Sequence, residues 1–137
     1  MFDFLKKRKK VILDTNILLL PGQIGVDVFT EIDKAIHDSY EFCVLEGTLT
    51  ELENIKEGKT RLNKKSDKFN AKLGIIMDKQ KDLKILKQSL KLVDDAIVEL
   101  SNADVYVATQ DRALQKRVEE KGAKLLLLHQ QKYFVVK

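Results

Sequence analysis

The amino-acid sequence predicts an α/β fold, a three-layer sandwich in which helices cover both faces of a central, mainly parallel sheet. Short runs rich in β-branched and other apolar residues alternate along the chain with segments of helical periodicity. Neither an internal repeat nor a low-complexity linker interrupts this alternation. Strands are expected at Lys10 to Asp14, Glu41 to Leu45, Asp104 to Ala108 and Lys124 to Leu128, with weaker ones at Leu83 to Leu86 and Tyr133 to Val136.

The segments between the strands carry helical signals. From Asp27 to His37, apolar residues recur three or four positions apart, as on one face of a helix. Pro21 and Gly22 break the chain after the first strand, so Leu18 to Gly25 is expected to be a loop beside Asp14. Further helices are predicted around Leu49 to Ile55 and at Ser66 to Lys79, Asp94 to Ser101 and Arg112 to Glu120, the last of them stopped by Gly122.

The length of 137 residues suits one domain, 1–137, with a basic N-terminal segment at 1–9 and a core at about 10–136. Cys43 has no cysteine to pair with, and we expect it to be a buried side chain in a reducing compartment. His37 and His129 share no metal-ligand spacing, which argues against a zinc site. No stretch approaches the roughly 20 apolar residues that span a bilayer, so the prediction is a cytoplasmic protein without membrane contact.

The net charge of +4 conceals a strongly basic segment. Between Lys56 and Lys91 there are twelve Lys or Arg against four Asp or Glu, a net charge of +8, and Lys6 to Lys10 adds five positive charges. Such clusters are the electrostatic footprint expected of a protein that binds a phosphate backbone. For any single lysine, the alternative is a solvated helix face. RNA-binding residues are predicted at Lys64, Lys65, Lys68 and Lys72.

Four acidic residues are candidates for a catalytic metal site. Asp14 and Asp111 follow predicted strands, where a parallel sheet collects its functional groups, and Glu51 and Asp95 belong to predicted helices. Two carboxylates about 4 Å apart repel each other by about 4 kcal/mol at an effective dielectric constant of about 20. A cluster of four therefore makes chemical sense mainly around a hard cation such as Mg²⁺ or Mn²⁺. Such a cation suits phosphodiester hydrolysis, because it activates water and neutralises charge on the phosphate.

Each acid also has a purely structural explanation. Asp14 and Asp111 precede helices and fit the role of an N-cap. Thr48 and Glu51 have the spacing of a capping box. The tandem acids Asp94-Asp95 begin a helix, where the helix dipole stabilises negative charge whichever of them points at the site.

Four motifs follow one another in the chain: Asp14-Thr15-Asn16, Glu51-Leu52-Glu53, Val93-Asp94-Asp95-Ala96-Ile97-Val98 and Ala108-Thr109-Gln110-Asp111-Arg112. In order, spacing and strand context they resemble the PIN-domain ribonucleases over Lys10 to Val136. Within that family the chain is most similar to archaeal relatives of the ribosomal-RNA-processing PIN endonucleases of the small-subunit processome. VapC-type toxin nucleases share the acid pattern more distantly. The segments that indicate the first branch are Gln23 to Asp27, Ala108 to Leu114 and Gly122 to Tyr133.

The resemblance implies a divalent-metal-dependent endoribonuclease that hydrolyses RNA phosphodiester bonds in ribosomal-RNA processing or RNA maturation. Asp95 is preferred to Asp94 because the family's acid directly precedes a small-apolar-apolar run, here Ala96-Ile97-Val98. The implied partners are RNA, such as a ribosomal-RNA precursor, and a second copy of the chain or ribosome-assembly proteins. The family's acidic residues, which hold Mg²⁺ or Mn²⁺, match Asp14, Glu51, Asp95 and Asp111, with Thr15, Asn16 and Thr109 as supporting polar groups.

Three alternatives stay open. A non-catalytic PIN domain could bind RNA or act as a scaffold in ribosome assembly, although the intact acids argue against it. A VapC-type toxin ribonuclease shares the same acids. A phosphoryl-transfer domain has a similar architecture, but a dehalogenase-type phosphatase expects a second acid where this chain has Asn16, and a receiver expects an acid after its middle strand, where none is evident.

Overall fold

The structure of the protein is a computed structural model that describes residues 8–58, 67–78 and 82–137. Its six strands form one sheet in the order β3-β2-β1-β4-β5-β6. All neighbouring strands are parallel except β5 and β6, which are antiparallel. The predicted, mainly parallel sheet is therefore confirmed. Its strands are β1 (Lys9–Leu13), β2 (Tyr40–Leu45), β3 (Lys84–Leu86), β4 (Val105–Ala108), β5 (Lys124–His129) and β6 (Tyr133–Val136).

Helices occupy the connections between the strands. Five helices in the described ranges come before β3: α1 (Thr15–Leu18), α2 (Leu20–Ile24), α3 (Val28–Ala35), α4 (Glu46–Lys56) and α5 (Asp67–Asp78). The other two are α6 (Val93–Leu100) and α7 (Arg112–Glu120). Among the described residues, no helix is long and apolar enough to cross a membrane.

The prediction of a loop from Leu18 to Gly25 is wrong, because α1 and α2 fill this segment. Pro21 lies in the first turn of α2, where a missing backbone N–H costs nothing and the fixed φ suits the helix. Gly25 ends the helix in the left-handed conformation, with φ 75°. Proline and glycine therefore mark the two ends of a short helix here.

The two faces of the sheet bury separate apolar cores. Successive residues of a strand point to opposite faces, so Val11 and Leu13 of β1 enter one core and Ile12 enters the other. The first core contains side chains of α1 to α5, and the second contains side chains of α6 and α7. Cys43 is buried in the second core, as predicted, and burial raises the pKa of its thiol to about 11. Helices on both faces confirm the three-layer fold.

The order of the strands defines where a ligand would bind. From β1 the chain adds β2 and β3 on one side and β4 to β6 on the other. The contact between β1 and β4 is therefore a topological switch point, where open α/β sheets bind ligands beyond the carboxyl ends of their strands.

Candidate active site

Asp14 lies at the switch point, one residue beyond β1, and only 7% of it is exposed. Its backbone N–H donates to the carbonyl oxygen of Ala108 over 3.0 Å, which joins it to the end of β4. Its Oδ1 accepts from the N–H of Thr15 at 2.9 Å and caps α1. The hydroxyl of Thr109 donates to Asp14 Oδ2 at 2.6 Å. These bonds fix the carboxylate at the centre of the carboxyl edge.

Asn16 and Thr109 connect Asp14 to the segment that carries Asp111. Asn16 Nδ2 donates to Asp14 Oδ2 at 3.3 Å and to Thr109 Oγ1 at 3.4 Å. Asn16 Oδ1 accepts from the N–H of Gln110 at 3.2 Å. Thr109 Oγ1 also accepts from the N–H of Asp111 at 3.1 Å. The ends of β1 and β4 are thus held together by side chains as well as by the sheet.

Asp111 is an N-cap, which was one of its two explanations. Its Oδ1 accepts from the N–H groups of Ala113 at 2.9 Å and Leu114 at 3.1 Å, at the start of α7. The residue is exposed, and within the described part of the chain its Oδ2 makes no hydrogen bond. The cap therefore orients the carboxylate and leaves one oxygen available for a ligand.

Glu51 lies in the middle of α4 and takes no part in a cap. Because α4 begins at Glu46, Thr48 is an interior helical residue, and the capping box that offered a structural explanation of Glu51 does not form. Glu51 is exposed, yet partial desolvation raises the pKa of its carboxyl, and the negative charges of Asp14 and Asp94 raise it further. The buried Thr15 hydroxyl lowers this pKa from nearby but makes no hydrogen bond of normal geometry.

The tandem acids of α6 have different surroundings. Desolvation raises the pKa of Asp94, and the charges of Asp14 and Asp111 raise it further. Asp95 instead accepts a hydrogen bond through Oδ1 from Arg117 Nη2 of α7 at 2.8 Å. Asp94 is therefore coupled to the other acids, whereas Asp95, the acid predicted from the sequence, is paired with a cation. No pattern in the sequence pointed to Arg117, because it meets Asp95 only where α7 packs against α6 in the folded chain.

We call Asp14, Glu51, Asp94 and Asp111 the acidic site. No three His, Cys, Asp or Glu side chains in the described ranges are arranged to hold a metal ion directly. The charges of Asp14 and Asp94 nevertheless raise the pKa of Glu51, and those of Asp14 and Asp111 raise the pKa of Asp94, as like charges do at short range. Mg²⁺ takes one or two protein carboxylates and keeps several waters, so this open set of oxygen donors fits a hydrated cation.

The predicted RNA-binding lysines fall outside this description. Lys64 and Lys65 lie outside the described residues, as do the side chains of Lys68 and Lys72 on α5.

Comparison with known proteins identifies relatives over nearly the whole chain. Ribonuclease VapC4 from Methanocaldococcus jannaschii is 28% identical over 129 residues, which cover 93% of this chain and 95% of that protein. The structure of the PIN domain endonuclease Utp24 matches with a TM-score of 0.69 and 22% identity, over 93% of this chain and 90% of that one. A domain of a functionally unknown protein from M. jannaschii matches with a TM-score of 0.56 and 15% identity, over 88% and 91%. These two structures support the fold.

The resemblance drawn from the four acidic motifs is confirmed by a family model described as a PIN like domain, which matches residues 11–131. All four acids and their supporting polar residues fall inside this match. The chain belongs to the family of PIN-like domains.

Proposed function

We propose that this chain is a divalent-metal-dependent endoribonuclease that hydrolyses RNA phosphodiester bonds, in ribosomal-RNA processing or another step of RNA maturation. The observation that carries the proposal is that Thr109 joins Asp14 to the segment of Asp111 at the switch point, with Glu51 and Asp94 near enough to respond to the charges of these acids. RNA as the substrate is supported by the similarity to a protein named as a ribonuclease and by the basic segment from Lys56 to Lys91.

Mg²⁺ or Mn²⁺ is the proposed cofactor, since PIN nucleases generally use divalent metal ions. Asp14 would bind the cation from the centre of the carboxyl edge, with Glu51 and Asp111 holding its waters. Asp94 replaces Asp95 as the proposed fourth acid, because its carboxyl responds to the charges of the other acids. A cation in this position supplies a Lewis acid that activates water and neutralises charge on the scissile phosphate.

Hydrogen bonds within the protein fix the orientation of two of the acidic carboxylates. Thr109 and Asn16 hold the Asp14 carboxylate through Oδ2, so its direction does not depend on a ligand. The cap bonds of Asp111 fix a second carboxylate in the same way. Preorganised groups lower the barrier because they need no rearrangement during the reaction. In this scheme no protein side chain attacks phosphorus.

The direct test is cleavage of a panel of structured RNAs with and without Mg²⁺ or Mn²⁺. Asp14→Asn keeps the shape and an N-cap residue but removes a ligand charge. Several kcal/mol of charge stabilisation are lost with it, so we expect cleavage to fall about 100-fold or more. Asp104→Asn is the matched control, because this acid pairs with Lys9 beside the amino end of β4 and should not affect cleavage.

Thermal unfolding gives a second readout that does not depend on activity. A cation that binds only the folded chain raises its unfolding temperature. We expect Mn²⁺ to stabilise the parent and Asp104→Asn but not Asp14→Asn, which should itself be folded. Equal cleavage in EDTA and in Mg²⁺, or by Asp14→Asn and the parent, would sink the proposed mechanism.

A second candidate is a VapC-type toxin ribonuclease, favoured by the 28% identity to ribonuclease VapC4. A toxin of this kind would arrest growth when it is expressed alone in a bacterial host, and Asp14→Asn would relieve the arrest. Normal growth with an active enzyme would favour RNA maturation.

A further inference from the structure

One arginine lies beside the acidic site. Arg117 Nη2 donates to Asp95 Oδ1 at 2.8 Å, and the two side chains are 47% and 41% exposed. Side chains of a helix lean towards its N-terminus. The N-terminus of α7 follows β4 at the carboxyl edge, so Arg117 reaches the first turn of α6 beside Asp94. Asp94 and Asp95 are both in the first turn of α6, so the guanidinium on Asp95 lies beside a member of the acidic site.

The ion pair between Arg117 and Asp95 allows a phosphate to replace Asp95 as the partner of the guanidinium. An ion pair as exposed as this one adds little to the stability of the fold, because water and salt screen it. A guanidinium presents a planar set of N–H donors that matches two oxygens of a phosphate as well as those of a carboxylate. A phosphate that approaches the acidic site can therefore take the place of Asp95 at little cost.

An RNA backbone needs a positively charged side chain beside the acidic site. Four carboxylates repel an RNA backbone, and a bound divalent ion offsets only part of their charge. Arg117 is a cation in this position, because it is bound at 2.8 Å to Asp95, the residue next to Asp94. It stands at the rim, because the first turn of α6 carries both its partner and a member of the site.

We propose that Arg117 binds a phosphate of the RNA strand next to the scissile bond, and that Asp95 holds the guanidinium ready for it in the free protein. The inference rests on the proposed nuclease function and adds to it a substrate contact. It also separates the tandem acids, with Asp94 in the metal site and Asp95 as the positioning residue for Arg117.

Measurements of RNA affinity test this contact separately from cleavage. Affinity for a short fluorescein-labelled single-stranded RNA is determined in Mg²⁺ with Asp14→Asn as the common background. Adding Arg117→Gln should weaken binding about tenfold, the value of one hydrogen bond to a charged group. It should also reduce the log–log salt slope by about 0.7, the contribution of one neutralised phosphate. Lys121→Gln, at the C-cap of α7 and one turn farther from the carboxyl edge than Arg117, loses the same charge and should change neither quantity.

Neutral linkages in the RNA locate the contact. A methylphosphonate placed at successive positions removes one phosphate charge at a time. At the contacted phosphate, the penalties of the methylphosphonate and of Arg117→Gln should fail to add, because both remove the same interaction. Full additivity at every position would overturn the proposal.

The Asp95→Asn variant tests whether Asp95 positions Arg117 or binds the metal ion. With Asp95 as the partner of Arg117, this variant should bind RNA as tightly as its background or more tightly, and it should lose far less cleavage than Asp14→Asn does. Loss of cleavage as large as that of Asp14→Asn would overturn the assignment, as would an Arg117→Gln variant that binds like the Lys121→Gln control. Unfolding midpoints close to the parent would verify that all variants are folded.

The two proposals fail in different ways. If the parent cleaves no RNA, the nuclease function fails, and the binding difference between Arg117→Gln and Lys121→Gln still decides the role of Arg117. If Asp14→Asn loses cleavage while Arg117→Gln binds like its control, the nuclease function stands and the phosphate contact is refuted.

Discussion

At the scale of single residues, Asp94 and Asp95 differ by one position and have opposite surroundings. Asp94 is coupled to Asp14 and Asp111, and Asp95 is bound to Arg117. We therefore predict that Asp94→Asn lowers single-turnover cleavage in Mg²⁺ about 100-fold, since it removes several kcal/mol of charge stabilisation. Asp95→Asn is the matched comparison and should lose far less cleavage than Asp94→Asn. A larger loss for Asp95→Asn would restore the assignment drawn from the sequence motif.

The raised pKa values of Glu51 and Asp94 make stability depend on pH. In metal-free buffer the folded chain binds protons at these carboxyls more tightly than the unfolded chain does. The free energy of unfolding therefore falls as pH rises from the ordinary carboxyl pKa of about 4 to the raised values, and the loss is complete above them. Glu51→Gln should be more stable than the parent near neutral pH and equal to it below this window.

Urea denaturation in EDTA at two pH values measures this difference. Glu53→Gln, on the same helix and outside the acidic site, is the control and should show no gain that depends on pH. A gain for Glu51→Gln of the same size at both pH values would contradict the electrostatic explanation and would indicate a change in helix propensity instead.

At the scale of elements, local patterns predicted where strands and helices lie more reliably than where they begin. The strand Tyr133–Val136 and the helix Arg112–Glu120 have the expected bounds. The segment from Leu18 to Gly25 was expected to be a loop because a Pro-Gly pair usually breaks a chain. Burial of Leu18, Leu19 and Leu20 in a core stabilises short helices there, and that packing is invisible to a local pattern.

The start of α4 illustrates the same limit and yields a prediction. Gly47 N–H donates to Gln88 Oε1 at 3.0 Å, so α4 begins against the segment that leads into α6. A Cβ at Gly47 would lie 2.6 Å from Val93 Cγ2. Overpacking of this kind costs about 1 to 3 kcal/mol, against a helix gain of about 1 kcal/mol. We expect Gly47→Ala to lower the free energy of unfolding and, because α4 and α6 carry Glu51 and Asp94, to lower cleavage as well.

Gly74 provides the comparison within the same chain. It is also a helical glycine, on α5, and a Cβ there would meet nothing within 4 Å. Gly74→Ala should therefore gain about 0.5 to 1 kcal/mol from reduced backbone freedom in the unfolded chain, without loss of cleavage. Chemical denaturation of both variants measures the difference. If Gly47→Ala were as stabilising as Gly74→Ala, the close packing of α4 against Val93 would be refuted.

At the scale of the whole molecule, the order of the motifs predicted which residues lie close together. The topology of the fold determined which contacts they make. Asp14, Asn16 and Thr109 were identified from local sequence because each follows a strand, and parallel strands end at one edge. The choice between Asp94 and Asp95 depends on Arg117, which is 22 residues beyond Asp95 and meets it only through the packing of α6 on α7. Local pattern carries no information about such a contact.

The separation of basic and acidic residues is also a property of the whole molecule. The basic segment from Lys56 to Lys91 joins α4 to α6, so both of its ends adjoin elements that contribute to the acidic site. An RNA strand that reaches the site would be repelled by its carboxylates and attracted by this segment. Affinity and chemistry should therefore separate, with the lysines providing binding and the acids providing cleavage.

Neutralising the four predicted RNA-binding lysines together to glutamine tests this separation. Each phosphate that is no longer neutralised should reduce the log–log salt slope by about 0.7 for a single strand, so RNA affinity should fall and its salt dependence should flatten. Cleavage at saturating RNA should match the parent, because no carboxylate of the acidic site is altered. An unchanged salt slope would show that the segment is a solvated surface and that RNA takes another path. A control with the same reduction of charge elsewhere replaces Lys116, Lys121, Lys132 and Lys137 by glutamine, and it should bind with the salt dependence of the parent.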